Sequence, residues 1–191
     1  MANTSDASSA LRHLVIAPKV AWRGWNGACC VTSHVDPAHW KKICCPIDFS
    51  HPSHDALRVA VDLSRVSDAD LYLLHVFQVP AYSFYGSTVF PAAGMVERLV
   101  ERIDSLLEQW QEEAQRLGAP RVHARRTEGM PHVEITRFAN QEDCDLIVIG
   151  THGHTGLNHV LIGSVAEKVV RAADCAVLSV HPAPTGATEA R

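Results

Sequence analysis

The sequence predicts an α/β domain: one open parallel sheet with helices on both faces. Three observations predict it. Short apolar runs alternate with stretches in which apolar residues recur at helical spacing. Most of those runs are continuous rather than alternating, as in strands covered on both sides. A set of spaced glycines stands where the fourth run stops and a helical pattern starts, at the junction where α/β sheets bind ligands.

The elements follow in order. Ile43-Cys44-Cys45-Pro46-Ile47 reads as a short strand with Pro46 near its exit, and Ala56, Val59, Ala60, Leu63 and Val66 then keep helical spacing. Leu71 to Phe77 is a second, longer strand. A loop with Pro80, Gly86, Pro91 and Gly94 leads to an amphipathic helix bearing Val96, Leu99, Val100, Ile103, Leu107, Trp110, Ala114 and Leu117 on one face. Gly118 and Pro120 stop that helix. Arg121 to Arg125 is a third strand, polar at alternate positions and therefore expected at a sheet edge. A helix around Val133 to Asn140 precedes the fourth strand, Leu146-Ile147-Val148-Ile149. Beyond the glycines, Val165, Ala166, Val169, Val170 and Ala173 trace the last helix, and Ala176 to Val180 the fifth strand. Strand and helix in repeated alternation mean parallel pairing with helical crossovers.

Two ends differ from this pattern. Residues 1–40 carry Trp22, Trp25 and Trp40 without a sustained period, and read as an extension, disordered or packed as an arm; residues 41–182 form the domain; residues 183–191 read as a frayed tail. The 191 residues suffice for one domain with a sizeable core. A net charge of −4 offers no basic stripe for nucleic acid. No apolar run is long enough to span a bilayer. Arg12, His13 and Lys19 interrupt the only candidate for a secretory leader, so a cytoplasmic protein is expected. The six cysteines show no C-x-x-C spacing, and Cys44, Cys45 and Cys175 in apolar runs read as small buried hydrophobes in a reducing compartment.

The glycine set is the feature that carries chemistry. Two residues separate Gly150 from Gly153, nine separate Gly153 from Gly163, and Ser164 follows directly. Bare backbone before a helix N-terminus suits a phosphate, because amide N–H groups and the helix dipole both favour an anion. Ser164-Val165-Ala166-Glu167 has a second reading as a helix capping box, which competes for the same hydroxyl. Asp48 likewise reads either as a ligand acceptor or as a turn residue capping a helix. His152, His154 and His159 near the glycines, and His51 and His54 near the first strand, have no metal-ligand spacing on one element and read as solvated loop residues. There is no G-x-x-x-x-G-K-[ST], no G-x-G-x-x-G after the first strand and no G-x-S-x-G elbow. A bound triphosphate would therefore meet neither a lysine clamp nor an obvious base for water.

These residues together resemble the universal stress protein (UspA-like) family from Lys41 to His181. The matching stretches are Ile47-Asp48-Phe49-Ser50, Leu74-His75-Val76, Asp145 to Gly150, His152-Gly153, Gly163-Ser164-Val165 and Ala176 to Val180. The glycine spacing resembles that of the family's ATP-binding branch. The resemblance implies an adenine nucleotide alpha-hydrolase-like sheet of five strands in the order 3-2-1-4-5, a homodimer and bound ATP; the apolar edge strand of that order, Ala176–Val180, is then the expected dimer contact, and a triphosphate is expected to carry Mg²⁺ with it. It further implies that Pro46, Asp48 and Val76 contact the adenosine end, and that Ile149, Gly150, Gly153, Gly163, Ser164 and Val165 hold ribose and phosphates. It implies no catalytic residue and no protein-ligated metal. A nucleotide-binding regulator is the reading so reached; a slow ATP hydrolase using the same crevice, or a nucleotide-free interaction module whose glycines serve only turns, are the alternatives.

Overall fold

The computed structural model describes residues 16–17, 40–79, 82–84, 87–89, 93–151 and 163–181. In chain order the elements are β1 (Ile16–Ala17), β2 (Lys42–Ile47), α1 (His51–Ser67), β3 (Asp70–Phe77), β4 (Tyr82–Phe84), β5 (Ser87–Val89) and α2 (Ala93–Arg116). Then come β6 (Arg121–Glu128), α3 (Pro131–Gln141), β7 (Leu146–Gly150), α4 (Ser164–Ala172) and β8 (Ala176–Val180). The main sheet runs β1-β8-β7-β2-β3-β6. Its five parallel members thus keep the expected 3-2-1-4-5 order, with the half-polar β6 at one edge.

The apolar runs explain the layers. Successive side chains of a strand point to opposite faces, so Ile43, Cys45 and Ile47 pack with Leu146 and Val148 into a core containing Leu57, Val61, Ile103 and Leu107 of α1 and α2. Cys44, Ile147, Ile149 and Val177 face the other way, against Ile135 and Ala139 of α3 and Ala166 and Val169 of α4. Trp40 is buried in the first of these cores, one residue ahead of the domain start read from the sequence.

Local chemistry ends the helices. In α1, the Ser50 hydroxyl accepts from the Ser53 amide at 3.4 Å, Pro52 occupies the first turn, and Asp68 closes the helix in the left-handed region at φ 51°. Gly118, at φ +100°, stops α2: its amide donates to the Gln115 carbonyl and the next amide to Ala114. The thiols serve packing. The hydrogen bond with Cys144 and burial push the Cys44 thiol up, and burial pushes Cys45 up to about 12 and Cys175 up to about 11. Thiols held that high stay protonated and unreactive.

Two features add to the elements read from the sequence. Tyr82–Phe84 and Ser87–Val89 form a small antiparallel hairpin within the stretch read as a loop. At the far edge of the main sheet, β1 lies antiparallel to β8, with Ile16 opposite Leu178 and Ala17 opposite Val177. The edge expected to be open for a second copy of the chain is therefore covered, over those two positions, by part of the N-terminal extension.

Candidate functional site

The central strand β2 pairs with β3 on one side and β7 on the other, and both pairings are parallel. The connection leaving β2 goes over one face through α1, while that entering β7 comes over the other through α3. A crevice must open where the two part company, at the carboxyl ends of β2 and β7. A cavity of about 320 Å³ lies there, lined mainly by apolar side chains. That size falls in the range of small-molecule sites.

Most of the residues singled out from the sequence can now be placed. Pro46 and Asp48 at the end of β2, Val76 in β3, Ile149 and Gly150 at the end of β7, and Gly163, Ser164 and Val165 at the start of α4 all line this one cavity. Gly153 lies outside the described residues, as do His152, His154 and His159. His51 and His54 stand away from the cavity, His51 beside Asp55 at 3.5 Å and His54 near Glu113 at 3.9 Å. Among the described residues no group of three histidine, cysteine or acidic side chains is arranged to hold a metal ion.

The β2 lip is tightly organised. Asp48 Oδ1 accepts from the Ser50 amide at 3.0 Å, from the Ser50 hydroxyl, and from the Ser53 hydroxyl at 2.5 Å; Ser53 Oγ in turn accepts from the Asp48 amide at 3.1 Å. Asp48 thus braces the turn but does not cap the helix, a role that falls to Ser50, and its carboxylate borders the cavity. Phe49 next to it sits at φ 63°, a conformation that costs a bulky residue about 1–3 kcal/mol and persists only where neighbours enforce it. Its ring packs on His75 at 4.4 Å and edge-on to Trp110 at 5.7 Å. His75 Nδ1 lies 2.9 Å from the Ile47 carbonyl. Burial pushes the His75 pKa down, against the opposing pull of that carbonyl and of Asp48, so the ring is neutral at pH 7 and its Nδ1–H donates.

The opposite lip is backbone. Gly163 is the N-cap of α4 and Ser164 its first residue, with no side-chain cap; the first helical hydrogen bond runs from the Glu167 amide to the Gly163 carbonyl at 3.0 Å. The capping-box reading of Ser164 is therefore not realised. Amides in the first turn of a helix have no helical acceptor, so those of Ser164, Val165 and Ala166 meet the cavity with the positive end of the dipole behind them. Gly150 is needed for a second reason: a Cβ there would come within 2.9 Å of the Pro52 carbonyl oxygen, where β7 passes the first turn of α1. The Gly163 amide donates to the Thr151 carbonyl at 2.5 Å. Thr151 Oγ1 is also 2.9 Å from His181 Nδ1.

Sequence reasoning missed Ile47, Ser53, Leu74, Pro131, Ile135, Thr151 and Ala166 in the lining. Thr151 adjoins Gly150 and could have been read with it. Pro131 and Ile135 arrive through the packing of α3 on the sheet, which no local spacing announces. No described lining residue carries a positive charge. The arrangement can hold an anion by amides and dipole at one end, and an apolar, partly polar-edged group at the other.

Comparison with known proteins agrees with this geometry. Residues 39–181 match the profile of the universal stress protein family. A universal stress protein of Methanocaldococcus jannaschii is 38% identical over 145 residues, covering 74% of this chain and 82% of its own. The solved structure of the universal stress protein UspA from Lactobacillus plantarum superposes with a TM-score of 0.63 at 25% identity, covering 74% of this chain and 97% of that one. A universal stress protein solved in complex with cAMP has the same fold, with a TM-score of 0.57 at 23% identity over 74% of this chain and 97% of its own.

Proposed function

The chain belongs to the universal stress protein family, and on that premise we propose that it binds ATP, accompanied by Mg²⁺, in the crevice between β2 and β7. It acts as a nucleotide-occupied regulator in a stress response. The observation that carries the reading is the uncapped start of α4, whose first-turn amides face a largely apolar cavity with the Asp48 carboxylate on its far lip. A fold relative solved with cAMP lends support to an adenine nucleotide as the ligand class.

In this reading the α4 amides and Ser164 take the phosphates, Gly150 and Gly153 let them approach the backbone, and Pro46 and Val76 flank the base. Asp48 accepts from a ribose hydroxyl or the adenine amine. Lacking a positive lining side chain among the described residues, the site leaves charge neutralisation to the metal that a triphosphate brings with it. Asp48, already accepting from two hydroxyls and an amide, serves as an oriented acceptor rather than as a base for water. Binding without rapid turnover follows, in a reducing cytoplasm where the buried thiols stay unpaired. A homodimer through Ala176–Val180 requires an edge that β1 partly occupies, and belongs to a chain with β1 displaced.

Calorimetric melting tests the binding claim. MgATP at about a hundred times its Kd stabilises a fold by about 2.7 kcal/mol, a shift of roughly 5–10 °C for a domain of this size. Gly163→Val, which puts a branched side chain where phosphate must approach, should remove the shift and leave the unliganded melting cooperative. A parent protein whose melting point does not move in saturating MgATP would favour the nucleotide-free interaction module.

A further inference from the structure

Three of the four described cysteines gather on one face of the sheet, away from the crevice. Cys44 lies inside β2, Cys144 two residues ahead of β7 and Cys175 one ahead of β8, on three neighbouring strands. Cys44 and Cys144 belong to the buried cluster under α3 and α4, and Cys175 packs against it. The Cys44 thiol donates a hydrogen bond to Cys144, so their two sulfur atoms are already in contact.

The backbone fixes that contact. The Cys144 amide donates to the Ala139 carbonyl at 2.8 Å, and the Asp145 amide to the Lys42 carbonyl at 2.9 Å. The Asp145 carboxylate accepts from the Lys41 and Lys42 amides at 2.7 and 2.9 Å, and Lys42 Nζ donates to the Glu142 carbonyl at 2.7 Å. The turn between α3 and β7 is thereby fastened to the start of β2. From hydrogen-bond contact the two sulfurs have only to close to the ~2 Å of a disulfide. Access is one-sided. Cys44 is sealed in the core, whereas Cys144 and Cys175 line an open cavity of about 450 Å³ with Asn140, Asp143 and Asp174. Cys44 and Cys175 are held protonated by their surroundings and are poor starting points for a reaction. Cys144 is the thiol that both borders the cavity and touches a second sulfur.

We propose that Cys144 and Cys44 are a hydroperoxide-sensitive pair that closes to a reversible disulfide. Cys144 Sγ attacks the outer oxygen of the hydroperoxide and the O–O bond breaks. The alcohol or water leaves with the Cys144 proton, and a sulfenic acid remains. Cys44 Sγ then attacks the Cys144 sulfur, and its proton departs with the sulfenic hydroxyl as water. The two thiols together lose two electrons, and the hydroperoxide gains them. The high pKa of Cys44 slows this second step, but a partner held in contact acts at an effective molarity of up to about 10⁵–10⁸ M, which offsets it. A reducing compartment keeps the pair open at rest and reopens it after oxidation. The inference concerns the α3 face of the sheet and stands apart from what fills the crevice.

The test exposes the native full-length chain to hydrogen peroxide, blocks remaining thiols with N-ethylmaleimide in denaturant, and maps the digested peptides by mass. The expected product is a Cys44–Cys144 cross-linked peptide that dithiothreitol removes, formed in Cys175→Ser as in the parent. Cys44→Ser should form no such link and should instead carry a sulfenic acid at Cys144, captured by dimedone present during the exposure. The parent map decides by itself should Cys44→Ser fail to fold. A parent whose Cys144 remains fully open to N-ethylmaleimide after peroxide overturns the proposal. So does a Cys144 linked to any cysteine other than Cys44, or one that is carried on to a sulfinic acid without forming the link.

Discussion

Asp48, Phe49 and His75 act as one unit at the end of β2. The hydroxyls of Ser50 and Ser53 and the Ser50 amide fix the carboxylate, while the left-handed turn at Phe49 is held by the ring contact with His75 and the edge contact with Trp110. His75 gives the unit a pH response. Its pKa lies below the ordinary 6.5 because burial disfavours the charged ring. Below about pH 6.5 the unfolded chain takes up a proton that the folded chain refuses, so stability declines as pH falls until the folded pKa is passed, and then levels. His75→Asn keeps a donor for the Ile47 carbonyl and removes the titration. Melting curves from pH 7.5 to 5.5 should therefore fall more steeply for the parent than for the variant; parallel slopes would contradict a depressed His75. Of this unit the sequence made Asp48 legible, with both its roles left open. It concealed the positive φ of Phe49, because a left-handed phenylalanine is enforced by tertiary contacts and not by propensity.

Among the elements, α4 decides how an anion could be held. Ser164 three residues before Glu167 satisfies the capping-box pattern, yet the helix starts one residue earlier than that pattern requires, with Gly163 as the N-cap. The Gly163 amide is tied to Thr151 at the base of the preceding segment, and this tertiary bond accompanies the shifted boundary. Ser164→Ala should accordingly leave the unliganded stability within about 0.5 kcal/mol, as for an ordinary surface substitution, where loss of a true cap costs about 1 kcal/mol. It should weaken MgATP by about tenfold, the worth of one hydrogen bond to a charged group. Titration calorimetry and thermal melting together check this; a destabilised variant with parental affinity would restore the capping box. The strands of the parallel sheet were legible because burial on both faces forces long apolar runs. The β4–β5 hairpin was not, since three-residue strands show no period and Pro80, Gly86 and Pro91 mark the region as loop. Nor was β1, because Leu14 to Ala17 is apolar without context, and only the β8 edge gives Ile16 and Ala17 their meaning.

At the scale of the whole molecule, one sheet serves two separate ends. The parting of the β2 and β7 connections opens the crevice at the carboxyl ends of the strands, and the sheet's last edge is closed by a strand from beyond the family domain. β7 borders both: Gly150 and Thr151 line the crevice, while β7 pairs with β8 along its length and the Thr151 amide donates to the Val180 carbonyl. The glycine spacing led to the crevice because its positions bracket a single strand-to-helix junction. Leu74 and Ile135 reach the same cavity only through the packing of β3 and α3. The central claim, an ATP site that binds without rapid turnover, is tested most directly by native mass spectrometry of the full chain mixed with saturating MgATP. The account predicts one intact ATP per chain, still intact after an hour, and none on Gly163→Val. A parent chain that flies without nucleotide, or that carries ADP within seconds of mixing, would contradict it.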